Sequence, residues 1–185
     1  MCQRWTNREI DNQLFAELAK SNPDVGKVRS LINFGADINA VDNKGETMLF
    51  NAIFNTRFGD DLKYIRLLID AGADLCYTVG GMNCLYVALM SGKPEIVAML
   101  LDAGANPNCF FDDPPASLLD WAEAKLLFDE LCHGCDVTPM KKIVQLLKSH
   151  GARSITQLVY ELKERSPDIV SKELVLHPYT IYREV

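Results

Sequence analysis

Apolar residues recur along the chain in short clusters at helical spacing: Val28, Leu31 and Ile32; Ile65, Leu68 and Ile69; Val97, Leu100 and Leu101; then Val144 and Leu147. Steps of three and four put each cluster on one face of a helix. Directly after each cluster comes one phrase, Gly35-Ala36-Asp37, Gly72-Ala73-Asp74, Gly104-Ala105-Asn106 and Gly151-Ala152-Arg153, at steps of 37, 32 and 47 residues. Glycine there supplies the left-handed residue that ends a helix. A second phrase stands upstream of the last three: Thr47-Met48-Leu49-Phe50-Asn51-Ala52, Asn83-Cys84-Leu85-Tyr86-Val87-Ala88 and Ser117-Leu118-Leu119-Asp120-Trp121-Ala122. Each opens on a residue able to cap a helix N-terminus and keeps a leucine and an alanine at fixed places. Alanines 19, 52, 88 and 122 are separated by 33, 36 and 34 residues. Two helices, a stopper glycine and a turn per step make a helical hairpin repeated about four times.

Residues 81–106, from Gly81-Met82-Asn83-Cys84-Leu85-Tyr86-Val87-Ala88 to Leu100-Leu101-Asp102-Ala103-Gly104-Ala105-Asn106, follow one known repeat pattern almost throughout. The chain resembles the ankyrin-repeat family over about residues 14–153. The resemblance implies an all-α fold, an ankyrin-repeat solenoid of stacked helix-turn-helix units with hairpin loops, capped at both ends. Its parts in a single domain would be an N-terminal capping repeat (1–41), repeats at 42–78 and 79–108, a repeat with an enlarged insertion (109–153), and a C-terminal helical cap and tail (154–185). The family's usual proline and histidine are replaced by Met48 and Phe50, Cys84 and Tyr86, and Leu118 and Asp120. The second unit carries four extra residues near 56–59, and the fourth is 13 longer than the third. That length predicts a first helix over 118–131, a loop at 133–136, and Thr138 with Pro139 as the cap and first turn of the next helix. At the ends, residues 6–20 predict a helix with Leu14, Phe15 and Leu18 inside, and 156–165 one with Leu158, Val159 and Leu162 as its apolar face. Ser166-Pro167 opens a short last helix, with 175–185 extended.

Composition narrows the chemistry. The chain has 185 residues, a net charge of −6 and a pI near 5.1, without basic runs. Nucleic-acid binding draws on clustered Lys and Arg, so it is not expected. No apolar run approaches the ~18 residues of a membrane span, and the first residues lack a signal-peptide core, so a cytoplasmic protein without a membrane partner is expected. The six cysteines, at 2, 76, 84, 109, 132 and 135, then read as reduced thiols. Cys132-His133-Gly134-Cys135 is the one CxxC, a spacing that suits half a zinc site or a redox pair. It has no second half, so Cys132 and Cys135 stand only as weak metal candidates. His133 beside them would have to act as base for an adjacent nucleophile, which helical geometry disfavours. His150 precedes a stopper glycine, where an imidazolium suits the helix's negative end. Gly80-Gly81 belongs to a hairpin turn, and Asp60-Asp61 and Asp112-Asp113 read as solvated loop carboxylates. No catalytic residue and no cofactor are expected.

The resemblance also implies where a partner binds: hairpin tips and the outward side of each first helix. These places fall on Asn43, Lys44, Glu46, Phe54 and Asn55; on Val79, Met82, Met90 and Ser91; and on Asp113, Ala116, Ala124 and Lys125. Tyr77, Phe110 and Phe111 add aromatics at or near the tips, which either belong to the interface, where this residue type is enriched, or fold under the hairpin to fill the gap beside the enlarged fourth unit. The expected function is a non-catalytic protein–protein interaction module, an adaptor or an inhibitor or immunity-type binder. Its partner would be another protein, a basic one favoured by the acidic charge, and the unbound chain would be a monomer. The alternatives are a zinc- or redox-responsive protein using Cys132 and Cys135, or a self-associating scaffold.

Overall fold

The computed structural model describes residues 7–20, 23–55, 62–109, 117–132 and 134–165. Its backbone contacts form two compact units, 1–106 and 107–185. The first holds α1 (Asn7–Leu18), α2 (Val25–Asn33), α3 (Met48–Phe54), α4 (Leu62–Asp70), the strands β1 (Thr78–Val79) and β2 (Met82–Asn83), α5 (Cys84–Met90) and α6 (Pro94–Asp102). The second holds α7 (Leu118–Leu131), α8 (Thr138–Ser149) and α9 (Ile155–Arg165).

In the first unit α1 packs on α2, α3 on α4 and α5 on α6. Successive pairs stack, so α1, α3 and α5 form one layer and α2, α4 and α6 the other. The seam between layers is fully apolar: Leu14, Met48, Leu49, Ile53, Ile65, Leu68, Leu85, Leu89, Ile96 and Leu100 are all completely buried. Each such side chain contributes about 1.5–3 kcal/mol of transfer free energy. The places where the family has proline hold Met48, Cys84 and Leu118, all fully buried, so the substitutions extend the core.

Every second helix stops in the same way. The N–H groups of Ala36, Ala73, Ala105 and Ala152 donate to the carbonyls of Leu31, Leu68, Leu100 and Leu147, and each preceding glycine N–H donates within the last turn, as Gly104 does to Leu101. This paired bonding satisfies orphan carbonyls, and it needs a left-handed residue, met at Gly104 by φ +93°. The first helices begin on buried caps. Thr47 Oγ1 accepts from the Phe50 N–H at 3.2 Å, Asn83 Oδ1 from Tyr86 at 2.8 Å and Ser117 Oγ from Asp120 at 3.0 Å. The antiparallel pairs Thr78↔Asn83 and Val79↔Met82 close around Gly80 and Gly81, both at positive φ as a two-residue hairpin turn of this twist demands.

A side-chain clamp joins neighbouring repeats. Asn39 Oδ1 accepts from the Asp74 N–H at 2.8 Å, and its Nδ2 donates to Gly72 O at 3.4 Å. Asp11 on α1 accepts from the equivalent Asp37 N–H at 2.7 Å. The second unit repeats the device: Asn108 accepts from the Arg153 N–H at 2.9 Å and donates to Gly151 O at 3.1 Å.

In that second unit α7 and α8 run antiparallel, tied by Glu123 to Lys148 at 2.7 Å and Glu130 to Lys141 at 3.0 Å. The lengthened α7 covers the residues its spacing predicts. The start of α8 differs from expectation: Thr138 is its first helical residue and not its cap. Asp136 accepts from the Thr138 N–H at 2.9 Å, so a carboxylate two residues upstream satisfies that donor. This bond, aided by the Thr138 hydroxyl and Lys142, holds the Asp136 carboxyl below its ordinary pKa. Helix α9 begins one residue early because Ser154 and Gln157 cap each other, Ser154 Oγ accepting from the Gln157 N–H and Gln157 Oε1 from the Ser154 N–H. Its first N–H, from Ile155, donates to Asp120 Oδ2 at 2.8 Å. Asp120, in the family's histidine place, thus ties α9 to α7.

Candidate functional site

Phe54 on α3 and Met90 on α5 stand two residues after Ala52 and Ala88, the same place in consecutive repeats. They are 59% and 57% exposed, on adjacent helices of one layer. Phe54 is held by stacking on the buried Phe50, with ring centroids 6.2 Å apart and planes 9° from parallel. Buried apolar residues need no explanation, but large exposed ones at repeat spacing form a surface with the chemistry of an interface core.

Next to Phe54, where Asn55 lines it, α1 and α3 form an open groove of about 340 Å³. Phe15, Leu18, Met48 and Ala52 form its apolar walls, and Asp42, Asn51 and Asn55 its polar edge. Asp42 organises the hairpin that rims it. Its Oδ1 accepts from the N–H groups of Lys44 and Glu46 at 2.8 and 3.0 Å, and its Oδ2 from Asn51 Nδ2 at 3.3 Å. Desolvation alone would raise the Asp42 pKa; the Glu46 and Lys44 N–H groups, then Asn51 and the Lys44 charge, outweigh it and hold the carboxyl below its ordinary value. The rim is therefore a fixed anion at neutral pH. Asn43, Lys44 and Asn55 are exposed around it, and Glu46 is half-buried.

The next hairpin joins this surface through Tyr77, whose hydroxyl donates to Gly45 O at 3.1 Å. Val79 and Met82 face each other across its two strands, both half-buried. Ser91 is half-buried, its Oγ donating to Ala88 O at 2.6 Å. The face of α1, α3, α5 and the two hairpins thus brings together ten of the expected contact residues: Asn43, Lys44, Glu46, Phe54, Asn55, Tyr77, Val79, Met82, Met90 and Ser91. Lys125 belongs to the second unit, where it pairs with Asp129 and lies 5.9 Å from the Phe128 ring centre. Phe110, Phe111, Asp113 and Ala116 lie outside the described residues, as do Asp60-Asp61, Asp112, His133, the insertion at 56–59 and the tail from 166.

Among the described residues, the chemistry candidates form no constellation. Cys132 is half-buried and Cys135 exposed, both free thiols, and the Cys135 N–H donates to Cys132 O at 3.4 Å. Among the described residues, no three His, Cys, Asp or Glu side chains are grouped to hold a metal, and no helix is long and apolar enough to cross a membrane. His150 ends α8 with Nδ1 2.9 Å from Leu146 O, the helix-terminal place its position predicts. Cys84 is entombed, and burial, followed by the nearby Asp74 and Cys76, pushes its thiol up to about 12.

One residue escapes the sequence reading altogether. Glu17, at the end of α1, is 2% exposed and accepts from Lys20 Nζ at 2.7 Å, Lys27 Nζ at 3.0 Å and the Asp24 N–H at 3.1 Å. The Lys20 hydrogen bond, then those from Asp24 and Lys27, lower its carboxyl to about 2. Its spacing of three from Lys20 was the available signal, but helical pairs of that kind are usually solvated.

A family model described as ankyrin repeats, in three copies, matches residues 15–110, just over half of the chain. Human ankyrin repeat and SOCS box protein 3 is 31% identical over 108 residues, which cover 56% of this chain and 20% of the relative. Mouse ankyrin repeat and SOCS box protein 14 is 34% identical over 89 residues, 43% of this chain and 14% of the relative. Dynein axonemal heavy chain 12 of cattle is 35% identical over 89 residues, 43% of this chain and 23% of the relative. The chain spans less than a quarter of each of these proteins.

Proposed function

The chain belongs to the ankyrin-repeat family, whose repeats are protein–protein interaction modules, and from that premise we propose that it binds one protein partner through the face formed by α1, α3, α5 and the two hairpins. The observation that carries this is the exposure of Phe54 and Met90 at equivalent places of adjacent first helices, with an open groove next to Phe54. The chain acts by occupancy, as an adaptor or as an inhibitor that masks its target, with no chemistry of its own. An aromatic and a methionine give such a surface large contact area and an adaptable shape. The net charge of −6 and the fixed Asp42 anion favour a basic partner, whose association rate falls as salt rises.

The test begins with affinity capture and mass spectrometry to identify a partner, followed by calorimetry. Central aromatic anchors of an interface typically cost 2 kcal/mol or more when truncated, roughly 30-fold in Kd. Phe54→Ala with Met90→Ala is expected to weaken binding by at least that factor while leaving the fold intact. Unchanged affinity in the double variant sinks the assignment of this face.

A further inference from the structure

The first helices α3 and α5 are seven residues long, whereas α7 has fourteen. Its second half is thus an addition to the repeat, and that half carries Leu127, Phe128 and Leu131, which are 59%, 62% and 72% exposed. With the exposed Ala124 they follow the i, i+3, i+4, i+7 pattern, an arc of roughly 100°. This arc lies opposite the side on which Leu119 and Ala122 enter the core, and beside the line of Glu123 and Glu130 that pairs with α8. A helix apolar on both its core side and its outer side belongs under cover.

We propose that the chain's own last residues, within 166–185, cover this ridge. Nine of those twenty residues are Ile, Val, Leu or Tyr, a composition poorly suited to solvation. Reach is guaranteed whichever way α9 points. Its start is pinned to Asp120 by the Ile155 N–H, its eleven residues are about 16 Å long, and Phe128 lies about 12 Å along α7 from Asp120. The end of α9 is therefore within about 35 Å of the ridge, which some ten extended residues bridge. The last ten, with Tyr179, Ile181 and Tyr182, remain to lie along it. A second copy of the chain is the poorer occupant. Three such side chains offer about 300–400 Å², against roughly 800 Å² per partner in a stable interface. A tethered segment, by contrast, meets the ridge at an effective concentration of order millimolar, so a contact too weak for a dimer suffices.

Hydrogen–deuterium exchange of the full chain tests this, with the parent compared to Leu127→Gln/Leu131→Gln. Amides of 176–182 are expected to exchange at least tenfold more slowly in the parent than an unstructured chain does, and to lose that protection in the variant. A converse variant, Ile181→Ser/Tyr182→Ser, leaves the helices untouched and is expected to raise binding of an apolar fluorescent dye at least twofold. Exchange of 176–182 at the unstructured rate in the parent overturns the proposal, as does protection unchanged in the ridge variant. Dye binding equal in parent and tail variant, or protection that grows with protein concentration in step with dimers, overturns it too, the latter in favour of a second copy.

Discussion

Replacing Asn108 by alanine isolates the clamp between repeats. Its bonds to the next turn, 2.9 Å from the Arg153 N–H and 3.1 Å to Gly151 O, close loops of more than forty residues. A net hydrogen bond contributes about 0.5–1.5 kcal/mol, and a donor left without a partner costs more than one that regains water. Gly151 is exposed and its carbonyl regains water, whereas Arg153 is half-buried. The expected loss is therefore about 1.5 kcal/mol. Asn39→Ala removes one good bond of 2.8 Å and one of 3.4 Å at the limit of geometry, so it should cost less, about 1 kcal/mol. With a urea slope near 2 kcal/mol/M, the midpoints should fall by about 0.7 and 0.5 M. Far-UV circular dichroism during urea titration measures both. If Asn108→Ala moves the midpoint by less than 0.15 M, or if Asn39→Ala moves it further than Asn108→Ala, the reasoning from bond geometry fails.

Ser117→Ala deletes a fully buried cap and strands the Asp120 N–H, so a loss of about 1–2 kcal/mol is expected in the same titration. Glu17→Gln should destabilise the chain at pH 7. Because the folded carboxyl titrates near 2 against an ordinary 4.5, its contribution is complete above pH 4.5 and is lost as pH falls toward 2. The gap between parent and variant, measured by urea midpoint, should close over that interval; a constant gap would contradict the ion cluster. In thiol labelling of the native chain, Cys76 and Cys135 should react at least 100-fold faster than the buried Cys84, whose thiolate is disfavoured at neutral pH. Equal rates would show that α5 opens readily. Phe54→Ala/Met90→Ala should change stability by no more than about 1 kcal/mol, the aromatic stacking on Phe50 being the main loss, and thermal unfolding checks it.

The helices and their ends were legible because they are local. Gly104 after Leu100 and Leu101, or Ser117 three residues before the N–H it caps, needs only near neighbours to act. The two glycines at 80 and 81 likewise announce their hairpin turn. The start of α8 differs, since Thr138 before Pro139 has the form of a cap, yet Thr138 is itself helical and its N–H is taken up by Asp136. The exposed pair Phe54 and Met90 was legible for another reason: equal steps from Ala52 and Ala88 bring them to adjacent helices once the repeat is known.

Long-range pairing decided the remainder. The sequence by itself determined that this chain is a stack of helical hairpins, because the period, caps and stoppers recur within each repeat and fix each hairpin with local bonds. Only the tertiary structure showed that Asn39 and Asn108 reach the next turn, that Glu17 is buried among Lys20, Lys27 and the Asp24 N–H, and that the added half of α7 turns Leu127, Phe128 and Leu131 outward. Each of these depends on which surfaces meet, and an apolar residue on a helix has the same letter whether a neighbour covers it or not.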